Sequence, residues 1–106
     1  MAVLVLAGCT DDGGPRLRSV TPVAAARGTS VTIEGDRLCG SAGDCGSAGG
    51  EVQIGLELPY AKATVTSYTD TRAEIVIPSV APTGPTELVI TVDGRSSNSL
   101  GFEVLP

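Results

Sequence analysis

From Pro15 onward the apolar residues of this chain alternate with polar ones, and no stretch repeats them at the three-and-four spacing a helix needs. Successive side chains leave an extended strand on opposite faces, so a period of two implies strands with one buried face. Val31 and Ile33 alternate with Ser30, Thr32 and Glu34 and stop at Gly35-Asp36; Val52 and Ile54 alternate with Glu51 and Gln53 and stop at Gly55. Ala73, Ile75 and Ile77 share one face of a run closed by Pro78, which lacks a ladder donor. Leu88, Ile90 and Val92 share a face of the next run, which ends at an Asp93-Gly94 hairpin turn, and Leu100, Phe102 and Val104 return antiparallel to it. Leu17 and Val20 are three apart, which breaks the alternation and predicts a bulge or a change of sheet around Arg18-Ser19, before Pro22 ends that strand. Turn signals recur about every ten to fifteen residues, the spacing of a sandwich. The expectation is an all-β antiparallel β-sandwich of about seven strands. Its two facing layers are predicted to hold Leu17, Val20, Val31, Ile33, Leu38, Val52, Ile54, Val65, Ile75, Ile77, Leu88, Ile90, Val92, Leu100, Phe102 and Val104.

Composition narrows the chemistry of such a body. At 106 residues the chain fits one small domain, and it has no histidine, so Ser-His-Asp and Cys-His nucleophiles and histidine metal sites are excluded. Lys62 is the sole lysine and has no serine three residues before it, so a Ser-x-x-Lys nucleophile is absent too. Seven Lys+Arg against twelve Asp+Glu give a net charge of -5, the wrong sign for neutralising nucleic-acid phosphates. Tyr60, Tyr68 and Phe102 are the only aromatics, too few for a stacking platform on single strands or on many sugars. The chain reads as a non-enzyme with no cofactor and no nucleic-acid partner.

The first segment reads as an address. Residues 2–8, Ala-Val-Leu-Val-Leu-Ala-Gly, are uncharged and apolar, too short for a spanning helix, and stop at Cys9 before Thr10-Asp11-Asp12-Gly13-Gly14. Leu6-Ala7-Gly8-Cys9 resembles the bacterial lipobox, in which small residues admit a signal peptidase and the cysteine thiol takes diacylglycerol. The expectation is a partial signal segment over residues 1–8, lacking the basic start that such segments carry, then a lipidated Cys9 with a flexible tether over 9–14, then the folded domain over 15–106. This places the protein in the bacterial cell envelope, held to the outer membrane or cell surface through Cys9. The competing readings are a buried strand over residues 3–7 with Cys9 as a core thiol, and a cytosolic location.

Lipidation of Cys9 leaves two cysteines. Cys39 and Cys45 head two successive copies of Cys-Gly-Ser-Ala-Gly within residues 39–50, a Gly/Ser/Ala insert with no large apolar side chains to hold it down. A Cys39–Cys45 disulfide would close that loop and contribute about 2 to 2.5 kcal/mol by the chain-entropy argument. The alternative is a metal site using both thiolates with Asp36, Asp44 or Glu51, and a calcium ion among Asp36, Asp44 and Glu51 is a further variant. No EF-hand spacing supports the latter, and these carboxylates also read simply as solvated loop charges.

Two longer patterns carry a family resemblance. Pro15-Arg16-Leu17-Arg18-Ser19-Val20-Thr21-Pro22 followed by Gly28-Thr29-Ser30-Val31-Thr32-Ile33-Glu34-Gly35-Asp36-Arg37-Leu38 resembles the opening of the IPT/TIG domain. Ser67-Tyr68-Thr69-Asp70-Thr71-Arg72-Ala73-Glu74-Ile75-Val76-Ile77-Pro78 and Val92-Asp93-Gly94-Arg95-Ser96-Ser97-Asn98-Ser99-Leu100-Gly101-Phe102 resemble its middle and close. The resemblance covers residues 15–105 and implies an immunoglobulin-like sandwich acting as a spacer or as a protein- or glycan-binding unit. The chain departs from the family at Leu38, where an aromatic is common, and at the insert, where the family has a shorter loop. Because the insert exceeds what the fold requires, Gly40, Ser41, Asp44, Ser47 and Glu51 are the expected contact residues for a protein or glycan partner. The alternative is a small ligand- or metal-binding protein using that same loop. A second docking expectation is β-augmentation at the edge of the strand around Val52–Ile54.

Overall fold

In the computed structural model, which describes residues 14–40, 50–55, 60–92 and 94–106, the described residues form ten strands and no helix. They are β1 (Arg16–Thr21), β2 (Ala24–Ala26), β3 (Ser30–Asp36), β4 (Glu51–Ile54), β5 (Ala61–Lys62), β6 (Thr64–Tyr68), β7 (Arg72–Val76), β8 (Gly84–Val92), β9 (Arg95–Ser96) and β10 (Leu100–Leu105). One sheet runs β1-β3-β7-β6; the other runs β2-β10-β8-β4-β5, with β9 also on β8. Three of the ten, β2, β5 and β9, are only two or three residues long, which is why periodicity alone points to about seven. The fold is the all-β immunoglobulin-like sandwich that the alternation and the resemblance lead one to expect.

The irregular start of the chain resolves into two separate events. A register shift between Leu17 and Ser19 makes the bulge, which lets both Leu17 and Val20 face inward against β3. The change of sheet comes later, after the cis Thr21-Pro22 bond, where β2 leaves β1's sheet and pairs parallel with β10, Ala25 opposite Val104. At the other end of the chain, β8 and β9 pair Val92 with Arg95, and Gly94 takes φ +78° in the connecting turn, a value only glycine adopts without cost.

The expected core is assembled with two differences. Leu100 is only partly buried, and Val65 is 37% exposed although it stands opposite the fully buried Ile75. Val65 lies on β6, the last strand of its sheet, so the second sheet does not reach over it. The small residues Ala25, Ala61, Ala73 and Ala81 fill the core between the large aliphatics. Burying each large aliphatic contributes roughly 1.5 to 3 kcal/mol, and the core supplies more than a dozen such side chains against the chain entropy.

The predicted edge at Val52–Ile54 is not an edge. β4 pairs with β8 on one side and with β5 on the other, Gln53 opposite Lys62 and Ile54 opposite Ala61. The chain after Gly55 returns as a strand too short for periodicity to reveal, and the Lys62–Glu51 ion pair at 2.7 Å ties the two strands together.

Candidate functional site

The insert over residues 39–50 rises from the end of β3 and returns at the start of β4, beside the β6–β7 turn. Its root is held by that turn. Leu38 N donates to Asp70 O at 2.8 Å, Cys39 N donates to Asp70 Oδ1 at 3.1 Å, and the Tyr68 hydroxyl donates to Leu38 O. The returning end meets the same tyrosine: a Cβ at Gly50 would fall on the Tyr68 hydroxyl and Cζ and come within 3.1 Å of Ile90 Cγ2. Gly50 is therefore required by close approach, whatever its backbone angles. On the way out, Arg37 adopts φ +55° and sends Nε to Gly14 O at 3.0 Å, while Gly40 N closes a turn onto Arg37 O at 3.1 Å.

The site residues read from the sequence divide accordingly. Cys39 is 1% exposed and Gly40 is buried, so Gly40 belongs to the root of the insert and offers no contact surface, unlike its expected role. Glu51 is half-buried and paired with Lys62. Cys9, Ser41, Asp44, Cys45 and Ser47 lie outside the described residues. Asp36 is ion-paired with Arg18 at 2.7 Å, and Arg18 also donates to Gly35 O at 2.9 Å. Among the described residues no group of three metal-ligating side chains forms.

Electrostatics at this end are mild except at the tyrosine. Burial, with the Asp70 carboxylate adding to it, pushes the Tyr68 hydroxyl up to about 12, so it is a permanent donor at ordinary pH. Hydrogen bonding and Coulombic attraction from Glu51 raise the exposed Lys62 ammonium above its usual value, which keeps it charged. Tyr68, Asp70 and Gly50 were missed as site residues because nothing in the spacing of the sequence links positions so far apart; only the short Thr-Asp turn after Tyr68 marks the place.

At the opposite end, a shallow groove of about 290 Å³ is lined by Tyr60, Ala61, Val80 and Pro82. Val80 is 75% exposed there, and Arg27 Nε pins the neighbouring loop through Ala81 O at 2.7 Å. The groove is largely apolar, and among the described residues that line it Tyr60 alone carries an ionisable group.

Solved structures share this fold. A gamma-CGTase from the alkalophilic Bacillus clarkii aligns over 91% of this chain and 13% of its own, with a TM-score of 0.72 and 23% identity. The surface glycan-binding protein PbSGBP-B from Prevotella bryantii aligns over 80% of this chain and 19% of its own, at TM-score 0.61 and 23% identity. SGBP-B from a complex xyloglucan utilization locus in Bacteroides uniformis aligns over 87% and 23%, at TM-score 0.60 and 22% identity. The chain thus spans less than a quarter of the length of each of these proteins, and at such identities the likeness is one of fold. No curated protein matches the chain. A family model described as the IPT/TIG domain matches residues 15–104, from the residue before β1 into the last turn of β10's ladder, and the chain belongs to that family.

Proposed function

We propose that this chain is a non-enzymatic interaction module of the bacterial cell envelope, anchored by lipid on Cys9 and presenting the 39–50 insert to a protein or glycan partner. The observation that carries the reading is the root of the insert: Tyr68 and Asp70 hold Leu38 and Cys39 where it leaves the sandwich and Tyr68 packs on Gly50 where it returns, so an insert longer than the fold requires starts and ends on a fixed base. Family membership supports it, because the match over residues 15–104 makes the sandwich a shared scaffold, and function on a shared scaffold resides in the site grafted onto it. Among the similar structures, PbSGBP-B is a surface glycan-binding protein and SGBP-B comes from a xyloglucan utilization locus, which supports a glycan among the partners and a surface location. The lipobox-like Leu6-Ala7-Gly8-Cys9 supports the anchor, since the chains of a lipidated cysteine each contribute about 0.8 kcal/mol per buried methylene. The ligand- or metal-binding alternative at the insert gains nothing from Asp36 and Glu51, whose carboxylates are each paired with a cation.

Affinity electrophoresis against soluble neutral polysaccharides, run beside capture from solubilised envelope, tests the binding. Retardation or capture that disappears when residues 40–49 are shortened supports the reading; recovery unchanged by the shortening moves the site off the insert. Palmitate labelling of the precursor tests the anchor separately: Cys9→Ala is expected to abolish the label and release a folded domain from membranes, and equal labelling of both forms would refute lipidation at Cys9.

A further inference from the structure

The two sheets have unequal edges. β1 is closed off at Leu17, whose N–H and C=O both bond the side-chain amide of Asn98, at 2.7 and 3.0 Å. β2 and β5 are three and two residues long. β6, with Thr64-Val65-Thr66-Ser67-Tyr68, is longer than β2 and β5, built of uncharged residues with high strand propensity and carrying neither lysine nor proline to protect it.

The hydrogen bonds of β7 determine which β6 groups point outward. Ile77 N donates to Thr29 O at 3.1 Å and Gly28 N to Ile77 O at 2.8 Å, so Ile77 addresses β3. Backbone groups alternate along an antiparallel strand, so Ile75 and Ala73 address β3 as well, while Val76, Glu74 and Arg72 address β6. Thr69 N on Arg72 O at 2.7 Å and Thr66 Oγ1 on Glu74 O at 3.1 Å agree with this. Val65 and Tyr68 stand opposite Ile75 and Ala73, so their own N–H and C=O groups point away from β7, with no backbone partner among the described residues.

The bulge between Val65 and Ser67 sets these two outward residues three apart instead of two. A regular strand offers matching groups at every second residue and can satisfy one of the two positions but not both. A second β6 running antiparallel satisfies both, with Val65 of each copy opposite Tyr68 of the other and the two bulges facing one another. Val65 and Tyr68 share the inner face with Ile75 and Ala73, so this register lays the tyrosine ring of one copy beside the 37% exposed Val65 of the other.

We propose that β6 is a self-pairing edge through which two copies of this chain join antiparallel in the Val65-to-Tyr68 register, turning two four-stranded sheets into one of eight strands. The assembly is independent of the anchor and of the insert's partner.

Sedimentation equilibrium of the full chain in mild detergent, from about 1 µM to about 1 mM, tests it. The wild type is expected to show a monomer–dimer equilibrium. Val65→Pro removes an outward N–H and no bond to β7, and Val65→Lys places a charge at the contact; each is expected to raise the dimer dissociation constant at least about tenfold. Thermal melts of the monomeric samples should stay close to wild type. In a mixture of isotope-labelled and unlabelled wild-type chains, an intermolecular Overhauser contact from the Val65 methyls to the Tyr68 ring is expected. A chain monomeric throughout the range, a dimer whose affinity both folded variants leave unchanged, or intermolecular contacts confined to other strands would each overturn the proposal. The labelled wild type decides the matter even if a variant fails to fold.

Discussion

The Tyr68 hydroxyl on β6 donates to the Leu38 carbonyl at the end of the β3 segment, thirty residues back along the chain, while its ring blocks any side chain at Gly50. One tyrosine thus closes both ends of the insert against the sandwich.

Tyr68→Phe keeps the ring and removes the donor, leaving the carbonyl of the buried Leu38 without it. The expected cost is about 1 to 2 kcal/mol of unfolding free energy, read from urea titration with an unchanged slope.

The same hydroxyl makes stability fall at high pH. Its pKa stands near 12 in the folded chain against 10.0 for a free phenol, so between those values the unfolded chain releases a proton that the folded one still holds. The Tyr68 contribution is therefore complete below about pH 10 and lost as pH rises toward 12. Urea midpoints across that window should fall more steeply for wild type than for Tyr68→Phe; parallel curves would deny the shift.

Gly50→Ala puts a methyl where the Tyr68 phenol sits, so the tyrosine must move and surrender the Leu38 carbonyl. The substitution is expected to destabilise the chain by about 1 to 3 kcal/mol. In a Tyr68→Ala background only Ile90 Cγ2 stays close, at 3.1 Å, so the substitution should cost clearly less, and a double-mutant cycle measures that difference. Additive effects would mean the two residues are not in contact.

Asn98 substitutes for a neighbouring strand at the β1 edge, accepting from Leu17 N and donating to Leu17 O. Asn98→Ala loses both bonds and is expected to cost about 1 to 3 kcal/mol. Asn98→Asp keeps the acceptor but sets a carboxylate against the Leu17 carbonyl, so it should be no better than alanine at neutral pH and recover in part when acidified. Amide exchange at Leu17 should quicken in both.

The Cys39–Cys45 bridge remains a proposal, with Cys39 buried at the root of the insert and Cys45 outside the described residues. Intact mass after alkylation without reductant is expected to show no adduct at either cysteine, and reduction is expected to lower stability by about 2 to 2.5 kcal/mol. Free alkylation of both thiols in the unreduced protein would dismiss the bridge.

Much of the fold was legible because its signal is local. Val31 and Ile33, Ile75 and Ile77, Leu88 and Ile90 declare their strands by alternation, since each side chain must choose one of two faces, and Pro22 and Pro78 end the runs for stereochemical reasons carried by those residues alone, whereas β3 carries on through Gly35, opposite Leu17, to Asp36. Leu17 and Val20 even betrayed the bulge. The candidate site was legible only as an excess, a small-residue insert between Cys39 and Gly50, because composition can show what a fold does not need but not how it is held.

Tertiary structure decided the rest. Periodicity assigns Val65 to the inner face correctly, yet whether that face is covered depends on how far the opposite sheet extends, and β6 lies at the rim. It assigns Val52–Ile54 to a strand, yet the return of Ala61-Lys62 as its neighbour is two residues long, below the length at which alternation means anything. Tyr68 reads in sequence as one more aromatic near a turn; its bond to Leu38 and its contact with Gly50 exist only because β6, β3 and β4 end at the same end of the sandwich. The alternation of side chains is a property of each strand by itself and so was written in the sequence, whereas edges, caps and anchors are relations between strands and arise only when the two sheets close on one another.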